Sequence, residues 1–136
     1  MQFRRPVVAR WLMEHLPTQP LKRLVWSAVR RRVFDFEAST RLGVTVRGNT
    51  RDLIQRHLCY FGVWEPSATA SIRSRLAPGD VFVDVGANIG YYALLAAGLV
   101  GEGGRVVAIE AFPEIVASLE RHVALNRASN VRIVAV

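Results

Sequence analysis

Asp84, Gly86, Asn88, Gly90 and Glu110 are the residues of this 136-residue chain whose types and spacing suit the binding of a small polar ligand. The stretch Val81–Gly90 reads V-F-V-D-V-G-A-N-I-G. Val81, Phe82, Val83 and Val85 form a short apolar run rich in β-branched residues, which predicts a buried strand. The Asp84 carboxylate near the end of that run needs hydrogen-bond donors, because burying it alone is costly. Gly86 and Gly90 then bracket a tight turn, and Tyr91–Val100 resumes with helical spacing. A strand, a glycine turn and a helix together make an α/β ligand site. The missing Cβ atoms allow close backbone approach, and the helix N-terminus presents unpaired N–H groups.

The glycine spacing narrows the ligand. A dinucleotide fingerprint needs G-x-G-x-x-G. Counting from Gly86, Asn88 holds the second glycine position and Tyr91 the third, so the pattern fails twice. A phosphate-binding loop of the Walker type needs a Lys after its second glycine, and none follows Gly90. What remains, D-x-G-x-N-x-G, resembles the first motif of class I S-adenosylmethionine-dependent methyltransferases. Asn88 in place of the middle glycine departs from the general pattern of that class and matches one branch, the FkbM-type methyltransferases, in which D-V-G-A-N-I-G-Y-Y is typical. The resemblance spans about residues 43–136. It implies S-adenosyl-L-methionine as cofactor, with Asp84 near its methionine end and Gly86, Ala87, Asn88, Gly90 and Tyr91 passing beneath it.

Downstream, Arg105–Glu110 predicts a second strand, with Val106, Val107, Ala108 and Ile109 as its buried run. In a doubly wound sheet, ligands sit beyond the carboxyl ends of the strands, so Glu110 is expected to face the same crevice as the glycine turn. A carboxylate there can accept hydrogen bonds from both ribose hydroxyls, and class I methyltransferases place an acidic residue at this position for that purpose. The same resemblance puts Ala111 and Phe112 on the adenine side. Upstream, Gly62–Pro66 reads G-V-W-E-P, and with the following P-G-D-x-F-x-D-V-G it also resembles FkbM-type proteins. Pro66 suits the first turn of a helix and Glu65 suits its positive end. Glu65 therefore has two readings, a helix-end carboxylate or a ligand of the cofactor's ammonium group.

Charge is distributed unevenly. Residues 1–32 hold Arg4, Arg5, Arg10, Lys22, Arg23, Arg30, Arg31 and Arg32 against Glu14, which accounts for the whole formal net charge of +7. Residues 33–136 are neutral. The cationic segment has Val7, Val8, Trp11, Leu12 and Leu16, then Leu21, Leu24, Val25, Ala28 and Val29, at helical spacing, divided by Pro17 and Pro20. Two short amphipathic helices are expected. No apolar run approaches the roughly 20 residues of a membrane span, and Glu14, His15, Pro17 and Lys22 interrupt any secretory h-region. Helices capping the domain with their arginines in water are the first reading. Peripheral contact with an anionic membrane through residues 1–32 is the second, and nucleic acid, with no recognised module to accompany the charge, the third.

The remaining stretches fill in an α/β chain. Val33–Thr40 reads as a connector, and Val44–Val46 as a short strand ending in a turn at Gly48-Asn49. Arg51–Phe61 reads as a helix capped by Asn49 or Thr50, with His57 and Cys59 as packing residues. Ser67–Leu76 and Pro113–Arg127 read as further helices, and Asn130–Val136 as a third strand. The single cysteine excludes an intrachain disulfide and a cysteine metal cluster, and no metal site is expected. A hydrophobic content of 51% and a mean hydropathy of +0.19 fit a globular chain, read as cytoplasmic or peripheral to a membrane.

The expected architecture is the N-terminal half of a Rossmann-like class I methyltransferase fold. It divides into a basic helical region at 1–40, a lead-in at 41–78 and a cofactor-binding half at 79–136. The resemblance implies O-methylation of a small-molecule or sugar-containing acceptor. No catalytic base can be assigned. A non-catalytic basic binding module and, less favoured, an NAD-dependent oxidoreductase fragment are the alternatives. The apolar edge expected at Ile133–Val136 argues against activity of a half sheet on its own.

Overall fold

The computed structural model of the chain describes Phe3 and residues 7–136. Arg4 and Arg5 of the cationic segment lie outside the described residues, as do the side chains of Val7 and Glu14. Two compact units are present, Met1–Trp64 and Glu65–Val136. The division falls within the 41–78 stretch, because helix α4 (Pro66–Arg75) packs on a helix of the second unit, α5 (Tyr91–Val100).

In the first unit, α1 (Val7–His15) and α2 (Gln19–Val29) are separated where Pro17 and Pro20 divide the sequence, and Pro20 occupies the first turn of α2. The segment read as a connector is instead a strand, β1 (Asp35–Ser39), paired antiparallel with β2 (Thr45–Asn49). Gly48 and Asn49 belong to β2 and pair with Phe36 and Asp35, so they are not the turn expected of them. The turn lies at residues 40–44, where Gly43 adopts φ +83° and the Thr40 N–H donates to the Val44 carbonyl at 2.7 Å. Asp35 and Glu37 hide the strand in the sequence. Its stability comes from the ladder, from Phe36 (fully buried) and from a Glu37–Arg47 pair at 2.7 Å across the strands.

Helix α3 (Leu53–Phe61) is capped by Asp52, whose carboxylate accepts the Gln55 N–H at 2.9 Å, rather than by Asn49 or Thr50. Thr50 is fully buried and stitches the unit instead: its hydroxyl donates to the Arg32 carbonyl at 2.8 Å and accepts the Phe34 N–H at 3.0 Å. His57 packs as its place on the apolar stripe predicts, with its ring centroid 5.3 Å from those of both Phe61 and Trp64. Cys59 has no exposure, and burial pushes its thiol up to about 12. A thiol so placed is a packing group and not a nucleophile.

The second unit contains three parallel strands in the order β3 (Val81–Val85), β4 (Arg105–Glu110) and β5 (Val131–Ala135). Helix α5 links β3 to β4 and α6 (Pro113–Leu125) links β4 to β5. Both helices pack on one face of the sheet. Ala93, Ala96 and Ala97 of α5 and Leu119 of α6 meet Val106 and Ala108, with Phe82, Val131 and Ile133 packed around them. Alanine on the helix lets it lie close to the strands. The opposite face is open. Val81, Val83 and Val85 are 67, 54 and 77% exposed, so the strand expected to be buried is open on one face and half-buried, at Phe82 and Asp84, on the other. β3 and β5 flank β4 in this sheet; of the stretch expected to form an apolar edge, Ile133 and Val134 are half-buried.

Candidate functional site

Strand alternation puts Asp84 and Phe82 on the helix-covered face, and the pairing of β3 with β4 brings Glu110 to the carboxyl end beside them. The chain leaves β3 through three residues with positive φ: Gly86 at +75°, Asn88 at +51° and Gly90 at +91°. Asn88 tolerates the left-handed region because its own amide oxygen accepts the Ile89 N–H at 2.7 Å. That is why the middle position needs no glycine. Gly90 suits its left-handed backbone, and a Cβ there would also lie 2.5 Å from the Leu119 Cδ1, so that the leucine would have to shift.

The turn is anchored from several sides. The N–H groups of Gly86 and Ala87 both donate to the Ile109 carbonyl at 2.9 Å. The Glu110 carboxylate accepts the Asn88 N–H at 2.8 Å on one oxygen, and the Ala111 and Phe112 N–H groups at 2.9 and 3.1 Å on the other. The Phe112 N–H above all, with those of Asn88 and Ala111, holds the Glu110 carboxyl below the usual glutamate range despite its burial. His122, buried on α6, places Nδ1 2.8 Å from the Ile89 carbonyl. Glu110 thus joins the glycine turn to the start of α6. Three of about four acceptor sites on its carboxylate are filled by backbone, which leaves one.

Asp84 is the opposite case. Burial pushes its carboxyl up, the first-turn N–H of Ala93 on α5 pulls it down, and the nearby charge of Glu110 pushes it up again. Its Oδ2 is buried and accepts no hydrogen bond among the described residues. A buried carboxylate oxygen without a donor costs free energy until one arrives, which marks this corner as a receptor for an N–H or a cation.

Glu65 stands at the N-cap position of α4, the helix's positive end, and its side chain makes no capping hydrogen bond there. Its backbone takes φ +41°, and its carboxylate accepts the Tyr92 hydroxyl at 2.6 Å. Burial and this Glu65 bond push the Tyr92 hydroxyl well above its ordinary range, with the Asp84 charge adding to the effect. Of the other expected site residues, Ala111 and Phe112 are exposed beyond β4. Tyr91 is not: its ring is buried and its hydroxyl lies 3.2 Å from the Thr69 Oγ1, so its side chain serves the α4–α5 packing. Tyr92, Thr69 and His122 were not singled out by their sequence positions. Only the second tyrosine of the G-Y-Y run offered a signal. Among the described residues no group of three or more His, Cys, Asp or Glu is placed to hold a metal ion, and no helix is long and apolar enough to cross a membrane.

The family model of protein-L-isoaspartate (D-aspartate) O-methyltransferases matches residues 66–136, just over half of the chain. An arsenite methyltransferase of Halobacterium salinarum is 36% identical over 70 residues, which are 52% of this chain and 17% of that protein. The solved structure of TYW2 from M. jannaschii, in complex with AdoMet, superposes with a TM-score of 0.58 at 19% identity, covering 76% of this chain and 44% of that one, a likeness of fold. A SAM-dependent methyltransferase from Aquifex aeolicus is 26% identical with a TM-score of 0.48, covering 62% of this chain and 42% of that one. The chain therefore spans less than half the length of these relatives. Its match to the isoaspartate O-methyltransferase model over more than half of its residues makes it a member of the class I S-adenosylmethionine-dependent methyltransferase family.

Proposed function

We propose that this chain carries the cofactor-binding half of an FkbM-type methyltransferase that O-methylates a small-molecule or sugar-containing acceptor. The observation that supports the FkbM reading is the 2.6 Å bond between Glu65 and Tyr92. These residues come from the two separate motifs, G-V-W-E-P and D-V-G-A-N-I-G-Y-Y, on which the resemblance rests.

The residues present fit the cofactor. The partnerless Asp84 Oδ2 suits its ammonium group, and Glu65 adds a second carboxylate toward the same end. Gly86–Gly90 admit the ligand against bare backbone. Glu110 holds the turn in shape and offers its remaining lone pair to a ribose hydroxyl. The exposed ring of Phe112, with Ala111, flanks the adenine. When bound, S-adenosylmethionine supplies an electrophilic methyl group on a sulfonium. The chain's own residues then fix the position of the reacting end, which in-line transfer demands.

Calorimetric titration with S-adenosylhomocysteine tests the reading, with NAD as control ligand. Saturable binding is expected, silent for NAD and weakened roughly tenfold or more in Asp84→Asn, the worth of one hydrogen bond to a charged group. A folded chain that ignores the cofactor overturns it. The acceptor class is read separately, by the fate of a labelled methyl group offered to sugar hydroxyls and to an isoaspartyl peptide. Label on the peptide alone would replace the FkbM reading with the isoaspartyl one.

A further inference from the structure

We propose that the α1–α2 pair of the first unit is an interfacial anchor for an anionic lipid bilayer. α2 has no buried residue, although its sequence is half apolar. Its residues divide by direction. Val25, Trp26 and Val29 are half-buried, and Trp26 packs at 5.9 Å on the Tyr60 ring and 5.2 Å on the Phe61 ring of α3. Leu21, Leu24 and Ala28, spaced i, i+3 and i+7, form a second stripe turned to solvent, with Leu24 66% exposed. α1 repeats the arrangement. Met13 is buried, whereas Val8 at 72% and Trp11 at 56% are exposed three residues apart.

Together the two stripes of α2 make one wide apolar arc, of which the first unit covers only part. Scattered exposed apolar residues are ordinary, but exposed apolar residues at helical spacing on two helices that pack together, one of them carrying a tryptophan, suit an element lying in a membrane interface. The charge chooses the occupant. Arg23 on α2 and Arg30, Arg31 and Arg32 just past its end are exposed, and the first 32 residues hold the chain's entire excess of +7. A second copy of the chain would bring the same charge against itself. A nucleic acid would meet the arginines but would have no use for Leu21, Leu24 and Trp11. An anionic bilayer satisfies both, with the apolar stripes at the acyl boundary, the indole at the headgroups and the guanidinium groups on the phosphates.

Sedimentation of the full chain with vesicles tests the proposal. Binding is expected to vesicles of equal parts phosphatidylcholine and phosphatidylglycerol and to be weaker by roughly tenfold or more on pure phosphatidylcholine or at high salt. Replacing Arg30, Arg31 and Arg32 together with Ser should reduce it by a similar factor, and Leu24→Asp should reduce it several-fold with the thermal melt unchanged. Should Leu24→Asp lower the melt, Leu21→Ser takes its place. The Trp11 emission should move to the blue on binding, a shift lost in Trp11→Phe and kept in Trp26→Phe. Absence of vesicle binding overturns the proposal. So does binding indifferent to both Leu24→Asp and Leu21→Ser, equal and equally indifferent binding to duplex DNA, or a dimer abolished by Leu24→Asp. Cofactor titration reads the second unit and is independent of every one of these outcomes.

Discussion

The two faces of the three-stranded sheet are built from the same strands and differ in almost everything else. Phe82, Asp84, Val106, Ala108 and Glu110 face the helices. Val81, Val83, Val85, Val107 and Ile109 face away from them. The covered face mixes small residues and two carboxylates; the open face is nearly all valine and isoleucine. Hydrophobicity alone would rank the open face as the more buried. What buries the other is fit, with alanines on α5 and Leu119 on α6 shaped to it. The carboxylates sit on the covered face because only there do helix N-termini and backbone N–H groups reach them.

The largest effect expected from testing this contrast is at the Gly90–Leu119 contact. Leu119 is fully buried, and Leu119→Ala should cost about 2–5 kcal/mol in denaturant unfolding. Gly90→Ala should cost about 1–3 kcal/mol from its left-handed backbone, and more from the 2.5 Å approach to Leu119. The double variant should lose less than the sum, because removing Leu119 removes the collision. Strict additivity would break the account of this contact.

The two carboxylates come next, with opposite signs. Glu110 has its carboxyl held below the usual range in the folded chain, so it contributes stability above the unfolded value that is lost as pH falls through the folded one. Asp84 has its carboxyl raised, so its ionisation destabilises the free chain as pH rises from the usual aspartate range through the raised one. Glu110→Gln should flatten the acid limb of a stability-against-pH curve. Asp84→Asn should flatten the opposing trend and stabilise the free chain at neutral pH by about 0.5–2 kcal/mol. A loss of stability in Asp84→Asn would show that its Oδ2 has a partner in solution.

The smallest effect should fall on the open face. Val83→Thr should change unfolding by no more than about 0.5 kcal/mol, as at other exposed positions. A cost comparable to Leu119→Ala would mean that this face is covered in solution.

The glycine turn and the elements around it were legible because their signals are local. β3, its positive-φ exit and α5 lie where Val81–Val85, Gly86–Gly90 and Tyr91–Val100 put them. β1 was illegible because Asp35 and Glu37 are poor strand formers whose place is set by a partner strand. The Asp52 cap was missed because Asn49 and Thr50, equally suited by type, are engaged elsewhere, Thr50 across to Arg32 and Phe34. At the site, Thr69, Tyr92 and His122 act through partners 22 to 33 residues away in the chain. Separations of that size carry no periodicity to read. The choice of covered face was hidden for a related reason: valines alternate with the site residues in β3, and nothing in that strand says which side the helices take.

Cys59 gives the first unit a built-in clock. It is the chain's single thiol, it has no exposure, and it lies in the unit that does not hold the glycine turn. A thiol-specific reagent at neutral pH can react only when that unit opens, so the labelling rate measures its opening free energy without touching the second unit. Saturating the chain with cofactor should leave the rate unchanged if the units open independently. A slower rate would show that they unfold as one.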